Sequence, residues 1–206
     1  VAAEQFIRSE FFIYSPAKKI YYKKVFFPFD FHFDHTNIIK YCNRPFESAD
    51  EMNRQLILNW NKVVQWDDTV FILGDFCFGQ KTRWEKILPQ LNGYKYLVLG
   101  NHDKLKYIPE NGFEAVERQM MITITGDEEC NNQQLFMSHY PMITWDGSHR
   151  GSWQLYGHIH TEKGKKTPFE DKLVPNQYDV GVDNNDYTPV SWQQLKEIIT
   201  KRNLRG

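Results

Sequence analysis

The residues of this chain best suited to chemistry fall in five short clusters, each at the end of a strand-like run. They are Asp30-Phe31-His32, Gly74-Asp75, Gly100-Asn101-His102-Asp103, Ser138-His139 and Gly157-His158-Ile159-His160. Carboxylate, amide and imidazole groups are the oxygen and nitrogen donors of a metal site. A glycine ahead of the polar group lets the backbone turn sharply and approach closely. Taken singly, each cluster has a plain explanation: Gly-Asn is ordinarily a turn, and a histidine after a strand is ordinarily a hydrogen-bonded surface residue. Five together are harder to dismiss, because ligands gather at strand ends in stacked α/β sheets. If these ends converge, two aspartates, an asparagine and several imidazoles meet in one place. On an extended chain residues i and i+2 share a side, so His158 and His160 can face one metal centre, and likewise Asp30 and His32.

The elements that must position these groups are legible from periodicity. Val25 to Phe29 reads as a buried strand, with Pro28 marking an edge strand or a strand end. Ser48 and Glu51 form a capping box for a helix in which Met52, Leu56, Trp60 and Val63 or Val64 recur at helical spacing. Thr69 to Leu73 is the next strand. A short helix follows, boxed by Thr82 and Glu85 and carrying Pro89 near its end. After the strand that ends at Gly100, the pattern turns to β: "MMITIT" and "QQLFMSHY" read as a hairpin, and "WQLYGHIH" and "YDVGVD" as two more strands. Ser191 and Gln194 box a final helix. Strands alternating with helices argue a parallel or mixed sheet, and the β-rich second half argues a second sheet stacked on it. The fold class expected is α/β: two stacked mixed sheets flanked by helices.

At 206 residues, with no Pro/Gly/Ser-rich linker, the chain suits one domain with a sizeable core. The stretch 1–24 reads as a short leading element or an irregular arm, too often broken by charge for a signal peptide. Twenty-five basic against twenty-six acidic residues give a net charge of −1, so no broad surface for gripping extended nucleic acid is signalled. No run approaches the roughly 18 apolar residues of a membrane span. Cys42, Cys77 and Cys130 are odd in number and lack CxxC pairing. That excludes a zinc knuckle and fits a reducing, cytoplasmic setting. Cys77 reads as a small buried filler.

The order D-x-H, G-D, G-N-H-D, H and G-H-x-H, spanning Asp30 to His160, resembles the calcineurin-like metallophosphoesterases. In finer grain, "HFDHTNIIKYCNRPF", "MSHYPM" and "DVGVDNNDYTPVSWQQL" are similar to a small bacterial and phage branch of that superfamily. The resemblance implies a sandwich of two mixed sheets with helices outside, and two divalent metals. Asp30, His32 and His160 would take one metal, Asn101, His139 and His158 the other, and Asp75 would bridge both through its two carboxylate oxygens. His102 matches the proton-relay histidine of the family, and Asp103 is expected to orient or brace its loop. Phe29 departs from the pattern, which usually has a small residue there.

A nitrogen and oxygen donor set without thiolate suits Mn, Fe, Zn, Ni or Co, manganese being the first choice in vitro, rather than Cu(I). Two dications outweigh two aspartates and a bridging hydroxide, and the surplus positive charge would attract a phosphate. The implied reaction is hydrolysis of a small phosphodiester or phosphomonoester by in-line attack of the bridging hydroxide, His102 protonating the leaving oxygen. His35 is either a group reaching substrate or a surface histidine. Arg44, Arg150, His149, Trp145 and Trp153 either line the mouth or pack ordinarily; Trp60, Trp66 and Trp192 read as core. A nuclease and a non-catalytic metal-binding scaffold are the alternatives.

Overall fold

The computed structural model describes residues 11–15, 18–22, 24–130, 132–166 and 169–204. Two mixed sheets flanked by helices make an α/β sandwich. The first sheet contains β3 (Val25–Phe27), β4 (Thr69–Ile72), β5 (Tyr94–Val98), β6 (Ala115–Glu117) and β11 (Val190–Ser191), in the order β11-β3-β4-β5-β6. Strands β3 to β6 run parallel and β11 pairs antiparallel with β3. Pro28 therefore marks the end of an interior strand, not an edge. The second sheet contains β1 (Phe11–Ser15), β2 (Lys18–Tyr22), β7 (Gln119–Thr125), β8 (Gln133–Ser138), β9 (Trp153–Tyr156) and β10 (Gln177–Asp179), in the order β10-β9-β8-β7-β1-β2. Its β7–β8 pair is the expected hairpin. Of the leading stretch, residues 1–10 lie outside the described residues, while β1 and β2 pair with each other and β1 pairs with β7.

Strand alternation explains why the first sheet is buried on both faces. Val25, Phe27, Phe71, Leu73 and Val98 point into the layer between the sheets, where they meet Ile122, Ile124, Leu135, Met137, Trp153 and Leu155. Phe26, Val70, Ile72 and Leu97 point the other way, into a second core beneath α2 (Ala49–Val63) and α3 (Lys81–Ile87). α2 supplies Met52, Leu56 and Trp60 to that core at the expected helical spacing. α4 (Trp192–Asn203) sends Trp192, Leu195 and Ile199 into the first core, with Trp153 stacked on Trp192 at 5.5 Å. Among the described residues no helix is long and apolar enough to cross a membrane.

The caps divide. Ser191 and Gln194 form the full box at α4. At α2 the Glu51 N–H donates to Ser48 Oγ, but the Glu51 carboxylate accepts from Glu47 N–H at 2.7 Å, so only half of that box closes. The box expected from Thr82 and Glu85 does not form: α3 already starts at Lys81, which puts Thr82 inside the helix, and Gln80 at its N-cap makes no side-chain bond. Trp66, expected in the core, is 73% exposed, because α2 ends at Val63 and the chain turns outward before β4. Weak local signals conceal α1 (Thr36–Tyr41), β6 and β11, which are only two to six residues long.

Candidate metal centre

The ends of β3, β4, β5, β8 and β9 converge. Beyond β3 and β4 the two chains continue side by side: His32 N–H donates to Asp75 O at 2.9 Å and Phe33 N–H to Phe76 O at 3.0 Å. That pairing sets Asp30 and His32 against Asp75. Gly74 and Gly100 let the β4 and β5 ends touch, since a Cβ on Gly74 would meet Gly100 N at 2.6 Å and His139 Nδ1 at 2.7 Å. With φ at +110°, Gly74 is also in a conformation that side chains disfavour.

Two groups of donors result, each with atoms close enough to hold one ion: Asp30, His32 and His160, and Asp75, His139 and His158. Asn101 joins the second, its Oδ1 lying 2.6 Å from His139 Nε2. A third group, Cys42, His160 and Asp183, shares His160. Asp75 Oδ2 stands 3.6 Å from His32 Nε2 and 3.7 Å from His139 Nε2, between the first two groups. Its other oxygen, Oδ1, accepts the His102 N–H at 2.9 Å. One oxygen of Asp75 thus faces both groups, and the other holds the Asn101–His102 turn.

His158 and His160 do not face one centre as two residues on an extended chain would. Asp30, His32, Asp75, His158 and His160 all have positive φ, between 45° and 69°. A non-glycine residue in this region costs on the order of 1 kcal/mol, so five in one site mark a backbone held in place by its surroundings. Each left-handed residue redirects its side chain out of strand alternation. With that alternation gone, His158 and His160 enter different groups, whereas Asp30 and His32, left-handed as well, enter the same one.

Two donor atoms find no hydrogen-bond partner among the described residues. Asp30 Oδ1 and His32 Nε2 are buried and accept or donate no hydrogen bond. Such orphans are expensive unless something else satisfies them. Burial raises the Asp30 carboxyl well above the usual range, and the neighbouring charges of Asp75 and Asp179 push the same way. Burial lifts Asp75 to about 6, against the opposing His102 N–H and His160. Burial and then His160 hold His32 far below the ordinary imidazole range, and burial and then His158 bring His139 down to about 3. Neutral imidazoles beside crowded carboxylates lack positive charge, and divalent cations would supply it. The donor set fits metal ions.

Around these groups the predicted residues divide. His102 is exposed, its ring 5.6 Å from that of His32. Asp103 is buried and accepts Gly100 N–H at 2.9 Å and Phe76 N–H at 3.0 Å, tying the two loops together. His35 places Nδ1 3.4 Å from His32 Nδ1 and stacks on Phe78 at 4.2 Å. It is therefore a neighbour of a donor. Phe29 packs its ring 5.0 Å from that of His139, within the inter-sheet core.

Arg44 is not at the mouth. Its side chain is buried, bonded in bidentate fashion to Asp183 at 2.8 and 2.9 Å, and donates to the carbonyls of Phe31 and Asp30. The long side chain reaches inward because Asp183 and two strand-end carbonyls need a cation there. Arg150 is exposed and bonded to His149 and Asp146. It precedes β9, whereas His158 follows it, so Arg150 lies at the wrong end of the strand for the donors. Trp145 is buried, donating to Ser152 Oγ, and Trp153 is core. Neither lines the mouth. Cys77 is buried as expected.

Asp183 is the residue sequence reasoning missed. It accepts from both Arg44 and His160, whose Nδ1 is 2.8 Å from Asp183 Oδ2, and so orients a donor of the first group. Burial pushes its carboxyl up, but His160 and Arg44 outweigh this and hold it below the usual range. The signal was available: "DVGVDNND" is another strand-like run ending in polar residues.

No protein-family model matches the chain. It is 33% identical over 183 residues to the uncharacterized protein MJ1445 of Methanocaldococcus jannaschii, covering 87% of this chain and 93% of that one. The gene 66 protein of Mycobacterium phage L5 is 26% identical over 160 residues, covering 66% of this chain and 76% of the phage protein. Among solved structures, the protein of unknown function AQ665 from Aquifex aeolicus superposes with a TM-score of 0.67 at 25% identity, covering 84% of this chain and 98% of that one. A Streptococcus pneumoniae protein described as a predicted phosphoesterase reaches a TM-score of only 0.32 at 15% identity, over 69% of this chain and 67% of that one, too weak a likeness to carry an argument.

Proposed function

We propose that this chain, which belongs to the family of the Methanocaldococcus jannaschii protein MJ1445, is a metal-dependent phosphoesterase of the calcineurin-like type. One observation carries the reading: Asp75 Oδ2 lies between two adjoining donor groups, 3.6 Å from His32 Nε2 and 3.7 Å from His139 Nε2. Asp30, His32 and His160 would hold one divalent cation, and Asn101, His139 and His158 the other. When bound, such a pair supplies positive charge for the phosphoryl oxygens and lowers the pKa of the hydrolytic water.

The chain's own residues do the rest. Asp183, braced by Arg44, accepts from His160 and so sets that ring. Asp103 ties Gly100 to Phe76 and holds the loop that carries His102. His102, exposed above the donors, is the group to protonate a departing ester oxygen. A small phosphodiester or phosphomonoester suits this site better than extended nucleic acid, given the balanced charge of the chain.

The test is metal content and turnover of bis-p-nitrophenyl phosphate, before and after chelation and for three variants. Asp75→Asn is expected to weaken both sites and reduce turnover most. His158→Ala and His160→Ala are each expected to lower stoichiometry towards one ion. Full turnover by Asp75→Asn with two ions bound would refute the reading, as would turnover indifferent to chelation.

A further inference from the structure

A cavity of about 500 Å³ opens beside His158, walled by Tyr140, Met142, Ile143, Ile159, Phe169 and Leu173. Its apolar side chains are unusually open to solvent: Ile143 is 88% exposed, and Tyr140 and Phe169 are each 47% exposed. Tyr140 joins the cavity to the donors. Its ring stands edge-on to that of His158 at 4.5 Å and to that of His139 at 4.7 Å, and its hydroxyl donates to Asn101 Oδ1 at 3.4 Å. A group entering the cavity would therefore lie against His158, a donor of the second group, and against the Tyr140 ring that stands edge-on to His139.

The wall says what that group must be. Among the described residues no Asp, Glu, Asn, Gln, Ser or Thr side chain lines the cavity, and Lys172 is the charged member. Among the described residues, the hydroxyls of a sugar or the amino edge of a base would find side-chain acceptors only in the Tyr140 oxygen and the His158 imidazole, both at the donor end of the cavity, and donors left unmet along the rest of the wall are costly to bury. Hydrocarbon carries no such penalty, and a methionine wall adapts to its shape. The cavity on the His35 side of the donors is lined instead by Asp34, Glu47 and Asp50 with Arg83, a poor place for an apolar group.

We propose that the cavity beside His158 is a substrate subsite for an apolar group carried by the phosphoryl centre, so that the substrate class is a phosphoester of an alkyl or aryl alcohol. This rests on the phosphoesterase reading above.

The experiment is calorimetric titration of the metal-loaded full chain with methyl-, butyl-, octyl- and phenylphosphonate, alongside hydrolysis of the matching phosphate esters. Affinity is expected to rise about fourfold per methylene buried. Ile143→Asn, a neutral polar change at an exposed position, is expected to flatten this series, so that the butyl and octyl compounds bind little better than the methyl one; Met142→Gln should do so in part. Separate octyl and phenyl arms distinguish chain from ring. Affinity independent of chain length overturns the subsite, as does tighter binding of a nucleoside phosphonate than of the octyl compound. Chain-length-dependent binding without hydrolysis of any ester supports the subsite and refutes the catalytic reading, whereas hydrolysis without chain-length dependence does the reverse.

Discussion

The ring of Phe29 occupies the space that any side chain on Gly157 would need. A Cβ built on Gly157 overlaps the Cδ1, Cε1 and Cγ atoms of Phe29, and the same ring lies 5.0 Å from that of His139. The large residue at the end of β3 is thus matched by an absent side chain at the end of β9, 128 residues later.

This pairing predicts a strong double-mutant coupling. Gly157→Ala should destabilise the fold by about 1–3 kcal/mol, the usual effect of overpacking. Phe29→Ser removes a buried ring and should also destabilise, by about 3–5 kcal/mol. The double variant should be more stable than the sum of the two losses by at least about 1 kcal/mol. Simple additivity in denaturant unfolding would show that the two residues do not compete for one space.

Arg44 should prove structural before it proves catalytic. Arg44→Met leaves Asp183 buried without its cation, and breaking a buried pair from one side costs about 3–5 kcal/mol. Arg44→Lys should rescue little, because an ammonium cannot reproduce the planar fork that serves Asp183 and two carbonyls. The check is unfolding free energy together with affinity for one metal equivalent. A variant with wild-type stability that has lost only substrate affinity would restore Arg44 to the mouth.

His102 and Asn101 should separate by leaving group. General acid help matters most when the departing oxygen is a poor leaving group, and contributes roughly 10²–10⁴-fold. His102→Ala should therefore keep its metals and lose far more rate on an alkyl ester than on a p-nitrophenyl ester. Asn101→Ala should weaken metal binding and slow both alike. Equal losses on both esters for His102→Ala would end its assignment as the acid.

Asp127 fastens the β7–β8 connection to α4, accepting Trp192 Nε1–H at 2.7 Å and Lys196 Nζ–H at 3.0 Å. Burial pushes its carboxyl up, but the bonds from Trp192 and Lys196 outweigh this and hold it below the usual range. A carboxyl with a depressed folded pKa adds stability at pH above its unfolded value, and that contribution fades as pH falls through the folded value. Asp127→Asn should therefore cost about 1–3 kcal/mol near neutral pH, and the difference from wild type should shrink as pH drops below about 4. A pH-independent difference in thermal or urea unfolding would count against the charged form as the source.

Much of the fold and most of the donors were legible in the sequence because their signals are local. The apolar runs "TVFIL" and "KYLVL" read as strands, and in the structure their side chains enter the two cores by turns. Ser191 and Gln194 announce α4 because a cap forms within four residues. The donor types at five strand ends, and the glycines beside them, follow from what a tight turn and a metal require. Which donor meets which was decided only in three dimensions. Asp30 and His32 meet in one group while His158 and His160 separate, although all four are left-handed, so the path of each loop and not the period of two decides. Asp75 offers one oxygen to both groups because the other is taken by the amide of His102, across 27 residues. Arg44 turns inward to Asp183, 139 residues away, and Phe29 is tolerated only because Gly157 leaves room. Local pattern sets the chemistry a segment can offer; the register of distant strand ends sets what it meets.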